Sequence, residues 1–95
     1  MLKPLLSEGV LPKFQKLLDE GFYSPLKVTI PSVTIPSWPC LFSGITPYQL
    51  GYFWFTHPDK GLFNSSKWRE RAIFSIPSIR SFVLNVPGTY PAWKI

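Results

Sequence analysis

The chain contains little of the chemistry that disulfides and metal sites need. Among its 95 residues there is one cysteine, Cys40, and one histidine, His57. A single thiol cannot form an intrachain disulfide, and it excludes a metal site built on a CxxC pair. Because stable disulfides mark oxidising compartments, the lone cysteine favours the cell interior. We therefore expect a cytoplasmic protein.

Long apolar runs are also missing. Prolines at positions 31, 36, 39 and 47 interrupt the most apolar part of the chain. A membrane-spanning helix needs about 20 consecutive apolar residues. The opening sequence MLKPLLSEGVLP also lacks the apolar core of a secretory signal. The sequence predicts a soluble protein without a membrane span.

Charge is scarce as well. Charged residues make up 16% of the chain and hydrophobic residues 45%, whereas globular proteins average about 25% charged residues. A chain of this size buries only about 60–65% of its unfolded surface. So much apolar character in so short a chain indicates part of a larger core. We expect residues 1–95 to form a single incomplete domain.

The net charge of +5 suits anionic ligands. The basic residues are scattered, however, apart from Lys67, Arg69 and Arg71. That cluster is typical of a solvated helix face rather than of a binding site. No nucleic-acid-binding motif is present.

Helical spacing is clearest early in the chain. The segment LPKFQKLLDEG places its apolar residues on one face, has Pro12 in the first turn and reaches Gly21 at its end. The preceding LKPLLSEG resembles the last turns of another helix. Residues 22–30 are rich in β-branched residues near their end and predict a strand that stops before Pro31.

The later segments complete an α/β pattern. Residues 36–43 predict a short helix that Gly44 closes. Residues 56–66 predict a loop, residues 67–76 a helix that ends at Pro77, and residues 82–86 a buried strand. The expected fold class is α/β, with a few strands and short helices.

One hydroxyl stands out in the segment TIPSVTIPSWPCLFSG. Thr34 lies just ahead of Pro36, which can open the predicted helix. The start of a helix has unpaired N–H groups and partial positive charge, which stabilise a phosphoryl group. Thr34 is therefore a candidate alcohol nucleophile, expected to be solvent-accessible where a strand turns into a helix. The alternative is that Thr34 only caps the helix.

The residues around Thr34 carry a resemblance to a known family. The order P-S-x-T-x-P-S-W, then S-G-x-x-P, then a glycine and an aromatic pair, resembles the nucleophile segment of the type I phosphodiesterase and nucleotide pyrophosphatase family. This family belongs to the alkaline phosphatase superfamily. Within it, the segment is most similar to prokaryotic, mostly archaeal, predicted phosphohydrolases or phosphomutases. LLSEGVLPKFQKLLDEGFYSPLKVTIPS upstream and FVLNVPGTYP downstream extend the resemblance along nearly the whole chain.

The resemblance implies a fold and a chemistry. The chain would be the N-terminal part of a three-layer domain of the alkaline phosphatase type that hydrolyses phosphate esters. Two divalent metal ions, with zinc as the expected metal, would serve the full domain. Thr34 would be the nucleophile and a metal ligand. Ser37 stands where nucleotide pyrophosphatases carry an asparagine that contacts the phosphoryl group, although a first-turn residue bonded to the backbone is an equally good interpretation.

The metal ligands of the family do not carry over to this chain. Of the ligand types that the two-metal site uses, the chain has only Asp19, Asp59 and His57, and none matches a family ligand position. We therefore expect no metal pair on this chain alone. The rest of the domain would then be its structural partner.

Other residues have two interpretations each. Leu50 departs from the family, which has a histidine before this glycine, and so weakens the catalytic interpretation. Asn85 and Thr89 are expected to pair with the backbone. Five aromatic side chains could line a substrate pocket but are more often core: Trp38, Phe42, Phe53, Trp54 and Phe55. The alternative function is a non-catalytic remnant that serves as a binding or interaction module.

Overall fold

A computed structural model of the protein describes residues 2–94. It combines short helices with one small sheet. Helices α1 to α4 span Leu2–Ser7, Pro12–Glu20, Thr34–Ser43 and Pro47–Leu50, strands β1 and β2 span Thr56–His57 and Gly61–Leu62, and 3-10 helices span Ser65–Lys67, Arg69–Arg71 and Ile73–Ser75. The strands pair antiparallel, with Thr56 opposite Leu62. Mixed helices with a two-stranded sheet fit the expected α/β class.

The predicted helix after Leu11 is confirmed as α2. Its exposed face has a hydrogen bond from Gln15 to Asp19 of 2.8 Å and an ion pair between Lys16 and Glu20 of 3.8 Å. None of its residues is buried. Gly21 ends the helix with extended backbone angles, and a Cβ there would lie 2.6 Å from the Leu17 carbonyl oxygen. This glycine is needed for space rather than for a left-handed conformation.

The predicted strand at residues 22–30 is wrong. Residues 22–29 have no regular secondary structure, and no strand pairs with them within the described part of the chain. Phe22 and Ile30 are 93% and 91% exposed. Strand propensity alone does not make a strand, because its backbone groups need a neighbour to pair with.

Residues 67–76 do not form the predicted single helix. They lie in successive 3-10 turns, separated by Trp68 (φ −147°, ψ −11°) and Ala72 (φ −65°, ψ 135°). Both separating residues are only 1% exposed. The backbone leaves the helical conformation where it turns these two side chains into the core. The last turn stops before Pro77, as expected.

Two further segments differ from the predictions. Residues 56–66 contain the β1–β2 hairpin instead of loop alone, and Gly61 takes the positive φ of 73° that begins β2. Residues 82–86 are not a buried strand, since Phe82 is 89% and Leu84 is 70% exposed. Asn85 has a left-handed φ of 54°, which interrupts the extended run.

The core lies between α3 and the 3-10 turns. Among residues 2–94 its hydrophobic cluster has eight buried members: Ile35, Cys40, Leu50, Tyr52, Phe63, Trp68, Ala72 and Phe74. Ser65, fully buried, donates its hydroxyl proton to the Pro91 carbonyl and its N–H to the Tyr90 carbonyl. The indole N–H of Trp93 donates to Ser75 Oγ at 3.0 Å. These bonds tie the last described residues to the core.

Within residues 2–94, none of the helices has the length and apolar character that crossing a membrane takes.

Candidate active site

Thr34 is the first residue of α3, and its side chain is exposed. An extended segment without sheet partners, rather than a strand, leads into it. Val33 precedes the helix with extended backbone angles, and no side chain makes a capping hydrogen bond at this position. Thr34 is therefore an exposed residue at a helix start without a side-chain cap.

The start of α3 is kinked. Ile35 has non-helical backbone angles (φ −103°, ψ 118°), so Thr34 is set apart from the regular turns that begin at Pro36. The Ser37 N–H donates to the Val33 carbonyl at 3.1 Å and spans the kink. Ile35 and Pro36 are buried while Thr34 is exposed. Thr34 is therefore held between the buried Ile35 and the bond that spans the kink.

The predicted end of this helix is confirmed. Gly44 takes a left-handed φ of 70°, and its N–H donates to the Cys40 carbonyl at 2.9 Å. This is the usual way in which a glycine closes a helix. The helix therefore runs from the exposed Thr34 to Gly44.

Ser37 pairs with a residue that the sequence did not single out. Its Oγ lies 2.9 Å from Thr29 Oγ1, and Thr29 Oγ1 lies 3.0 Å from the Pro31 carbonyl oxygen. A carbonyl only accepts, so Thr29 donates its single proton to Pro31 and Ser37 donates to Thr29. The hydroxyl proton of Ser37 is therefore used in a hydrogen bond to Thr29. Nothing in the spacing of two hydroxyls eight residues apart signals this pair.

The other residues of metal-binding type make hydrogen bonds elsewhere in the chain. Asp19 accepts a hydrogen bond from Gln15 on α2, and His57 Nδ1 accepts the Asp59 N–H at 3.1 Å in the β1–β2 hairpin. Among residues 2–94 there is no group of three or more His, Cys, Asp or Glu side chains that could hold a metal ion. The described residues do not fit the two-metal site that the family implies.

Leu50 is buried, 6% exposed, at the end of α4. It is a core residue here, in the place where the resemblance expects a histidine. The next residue, Gly51, has a left-handed φ of 73° and closes α4. The fold thus uses this position for packing.

The expectation that the aromatic residues belong to the core holds only for Phe42, which packs partly buried against the core. Trp38 stacks on Phe42 with ring centroids 6.0 Å apart and is 39% exposed. The three consecutive aromatics Phe53, Trp54 and Phe55 are 50%, 55% and 43% exposed.

Thr89 pairs with the backbone, as expected. Its Oγ1 and its N–H both donate to the Val86 carbonyl, at 2.6 Å and 3.3 Å. These bonds close the turn of the NVPGTYP segment. Thr89 is a structural residue of that turn.

A groove of about 500 Å³ runs along one side of α3. Ser37, Trp38, Cys40 and Leu41 line it from the helix, and residues 26–29 form its opposite wall. Burial raises the pKa of the Cys40 thiol, since the low-dielectric surroundings disfavour the thiolate. Thr34 does not line this groove.

The family assignment now rests on more than the motif. The sequence model of the type I phosphodiesterase / nucleotide pyrophosphatase family matches residues 1–94. The chain belongs to this family, whose members act on phosphate esters, and the predicted family is confirmed. No curated protein and no solved structure matches the chain.

Proposed function

We propose that this chain is part of a metal-dependent phosphodiesterase-type hydrolase and supplies its nucleophile, Thr34. The observation that carries the proposal is the exposed Thr34 at the kinked start of α3, in a chain that matches the family over residues 1–94. A nucleophile must be reachable, and Thr34 is. No side chain makes a capping hydrogen bond at the start of this helix.

The chemistry of Thr34 is a displacement at phosphorus. The Thr34 Oγ1 forms a bond to phosphorus as the bond to the leaving alkoxide breaks, the hydroxyl gives up its proton and the alkoxide takes one up. The other ester group stays on the phosphoryl-threonine, and water then breaks the Oγ1–P bond. The partial positive charge at a helix start favours the negative charge on the phosphoryl oxygens.

Ser37 is a weaker part of the proposal. The resemblance implies that Ser37 donates a hydrogen bond to a phosphoryl oxygen. In this structure its hydroxyl donates to Thr29 instead. It can contact substrate only when that pair opens. We therefore assign Ser37 at most one hydrogen bond to substrate.

We further propose that residues 1–95 are the N-terminal part of a three-layer domain of the alkaline phosphatase type. The support is the apolar surface of the described residues, which includes Phe14 and Leu17 on α2. Other segments of such a domain would cover this surface and provide the ligands of a metal pair, with zinc as the expected metal. The cytoplasmic location remains a prediction from the single cysteine.

The test joins this chain to the remaining segments of a family member and measures hydrolysis of an aryl phosphodiester. Thr34→Ala should remove the activity, since losing a covalent nucleophile costs roughly 10⁶-fold in kcat. Ser37→Ala should cost about a hundredfold or less, the effect of one hydrogen-bond donor. Mass spectrometry of the quenched reaction should find the phosphoryl adduct on the peptide that contains Thr34.

A matched control is Thr56→Ala, which removes another exposed threonine hydroxyl, from β1, and should leave the rate unchanged. Full activity of the Thr34→Ala chimera would end the nucleophile proposal. An inactive parent chimera, together with retained folding, would favour the alternative of a non-catalytic binding module and point to Leu50 as the first residue to restore.

A further inference from the structure

The turn around Gly88 packs against the start of α3. Gly88 has a left-handed φ of 84°, and a Cβ at this residue would lie 3.0 Å from Phe63 Cε1, 3.2 Å from Ile35 Cδ1 and 3.4 Å from Pro39 Cγ. Two of these neighbours belong to α3, and Ile35 directly follows Thr34. Both the backbone angle and the close approach require glycine here.

Trp68 also holds this turn. The indole ring is 1% exposed, and its N–H donates to the Gly88 carbonyl at 2.9 Å. Trp68 also packs edge-on against Phe74, with ring centroids 5.7 Å apart. A continuous set of contacts therefore runs from the 3-10 turns through Gly88 to Ile35.

We propose that Gly88 and Trp68 are positioning residues for Thr34. Ile35 lies in the kink and is outside the regular helical backbone, so its packing against Gly88 fixes the direction of the chain at Thr34. Because an added Cβ would approach Ile35 Cδ1 to 3.2 Å, a side chain at residue 88 would displace this part of α3. This inference rests on the proposed role of Thr34, but the packing itself can be tested without any activity.

The first test measures amide hydrogen exchange by NMR on the full chain. Gly88→Ala should displace Ile35, speed exchange of the Ser37 amide about tenfold through local opening and move the Thr34 resonances. Exchange of the Gly51 amide, which bonds the Pro47 carbonyl in α4 at 2.9 Å, should stay unchanged. Adding Ile35→Val removes the Cδ1 atom that the new Cβ meets, and should restore part of the Ser37 protection.

Loss of protection at the Gly51 amide would show that Gly88→Ala unfolds the chain. A second variant is then needed. Trp68→Phe keeps an aromatic ring in the core but removes the N–H that holds the Gly88 carbonyl. It should also speed Ser37 exchange and shift Thr34. If Gly88→Ala stays folded, unchanged Ser37 exchange and Thr34 resonances in that variant would overturn the inference. If Gly88→Ala unfolds, the same result in Trp68→Phe would overturn it.

Kinetics in the active chimera separate positioning from simple destabilisation. Gly88→Ala should lower kcat roughly tenfold to a hundredfold with KM unchanged, because a misplaced nucleophile slows the chemical step rather than binding. An unchanged kcat would contradict a positioning role. If Thr34→Ala retained activity, the proposed function would fail while the exchange results on Gly88 stood.

Discussion

At the scale of single residues, neighbouring side chains of α3 have opposite environments. Thr34 is exposed, whereas Ile35 is 2% exposed and Cys40 is 7% exposed. One exposed hydroxyl on an otherwise buried helix start is the arrangement that a nucleophile needs. The sequence indicated it through the spacing of Thr34 and Pro36. The bond between Ser37 and Thr29 could not be predicted, since it depends on how residues 29–37 fold back.

Cys40 gives a prediction for pH dependence. Burial raises its pKa in the folded protein, so the stabilisation is present below the ordinary thiol pKa and is lost as pH rises toward the folded value. Wild type should lose free energy of unfolding relative to Cys40→Ala above about pH 8.5, by up to about 1.4 kcal/mol per pH unit. Urea unfolding of both proteins between neutral and alkaline pH measures the difference. Parallel curves would contradict the buried thiol.

At the scale of elements, α3 ends at Gly44 as its termination signal predicted, because this signal is local, whereas α4 is a helix that the sequence did not predict. Gly44 and Gly51 both take left-handed conformations. Thr46 caps α4, accepting from the Gln49 N–H at 3.2 Å while Gln49 Oε1 accepts the Thr46 N–H at 2.9 Å. The strand at residues 22–30 failed for the opposite reason, since a strand needs a partner that propensity does not supply.

Gly44 offers a clean test of helix closure. A Cβ at this residue would meet no atom within 4 Å, so Gly44→Ala adds only the backbone cost of a left-handed alanine, about 1 kcal/mol. Gly44→Asn should cost less, because asparagine tolerates this conformation better. Denaturant unfolding measures both variants. Equal stability of Gly44→Ala and wild type would show that the backbone changes conformation there.

At the scale of the whole molecule, the chain is more open than an independent domain. Its radius of gyration is 16.4 Å, whereas a compact domain of this length has about 12 Å. Its accessible surface is 7808 Å², against about 5,600 Å² for a compact protein of this mass. That leaves roughly half of the unfolded surface exposed, so burial is lower than the 60–65% expected from length. Exposed large hydrophobic side chains lie along the whole described chain, from Leu2 to Tyr90.

The exposed apolar surface predicts that one double variant affects stability differently in the chain alone and in the chimera. Phe22→Lys with Ile30→Lys should leave the free energy of unfolding of the chain unchanged, since both side chains are more than 90% exposed, and should reduce self-association measured by sedimentation. In the chimera the same variant should destabilise by several kcal/mol, because the added segments would bury the charges. Tyr48→Lys, at another exposed aromatic, is the control for charge alone. Equal stability of both chimeras would contradict the incomplete domain.

The sequence by itself determined the family, the candidate nucleophile and the local helix signals. Prolines and glycines act through backbone angles and nearby hydrogen bonds, which need no distant partner. Tertiary structure decided three other features. Trp68 separates two 3-10 turns, Leu50 belongs to the core, and the turn at Gly88 packs on Ile35. These depend on contacts between residues up to 53 positions apart, and only the folded chain brings such residues within van der Waals distance.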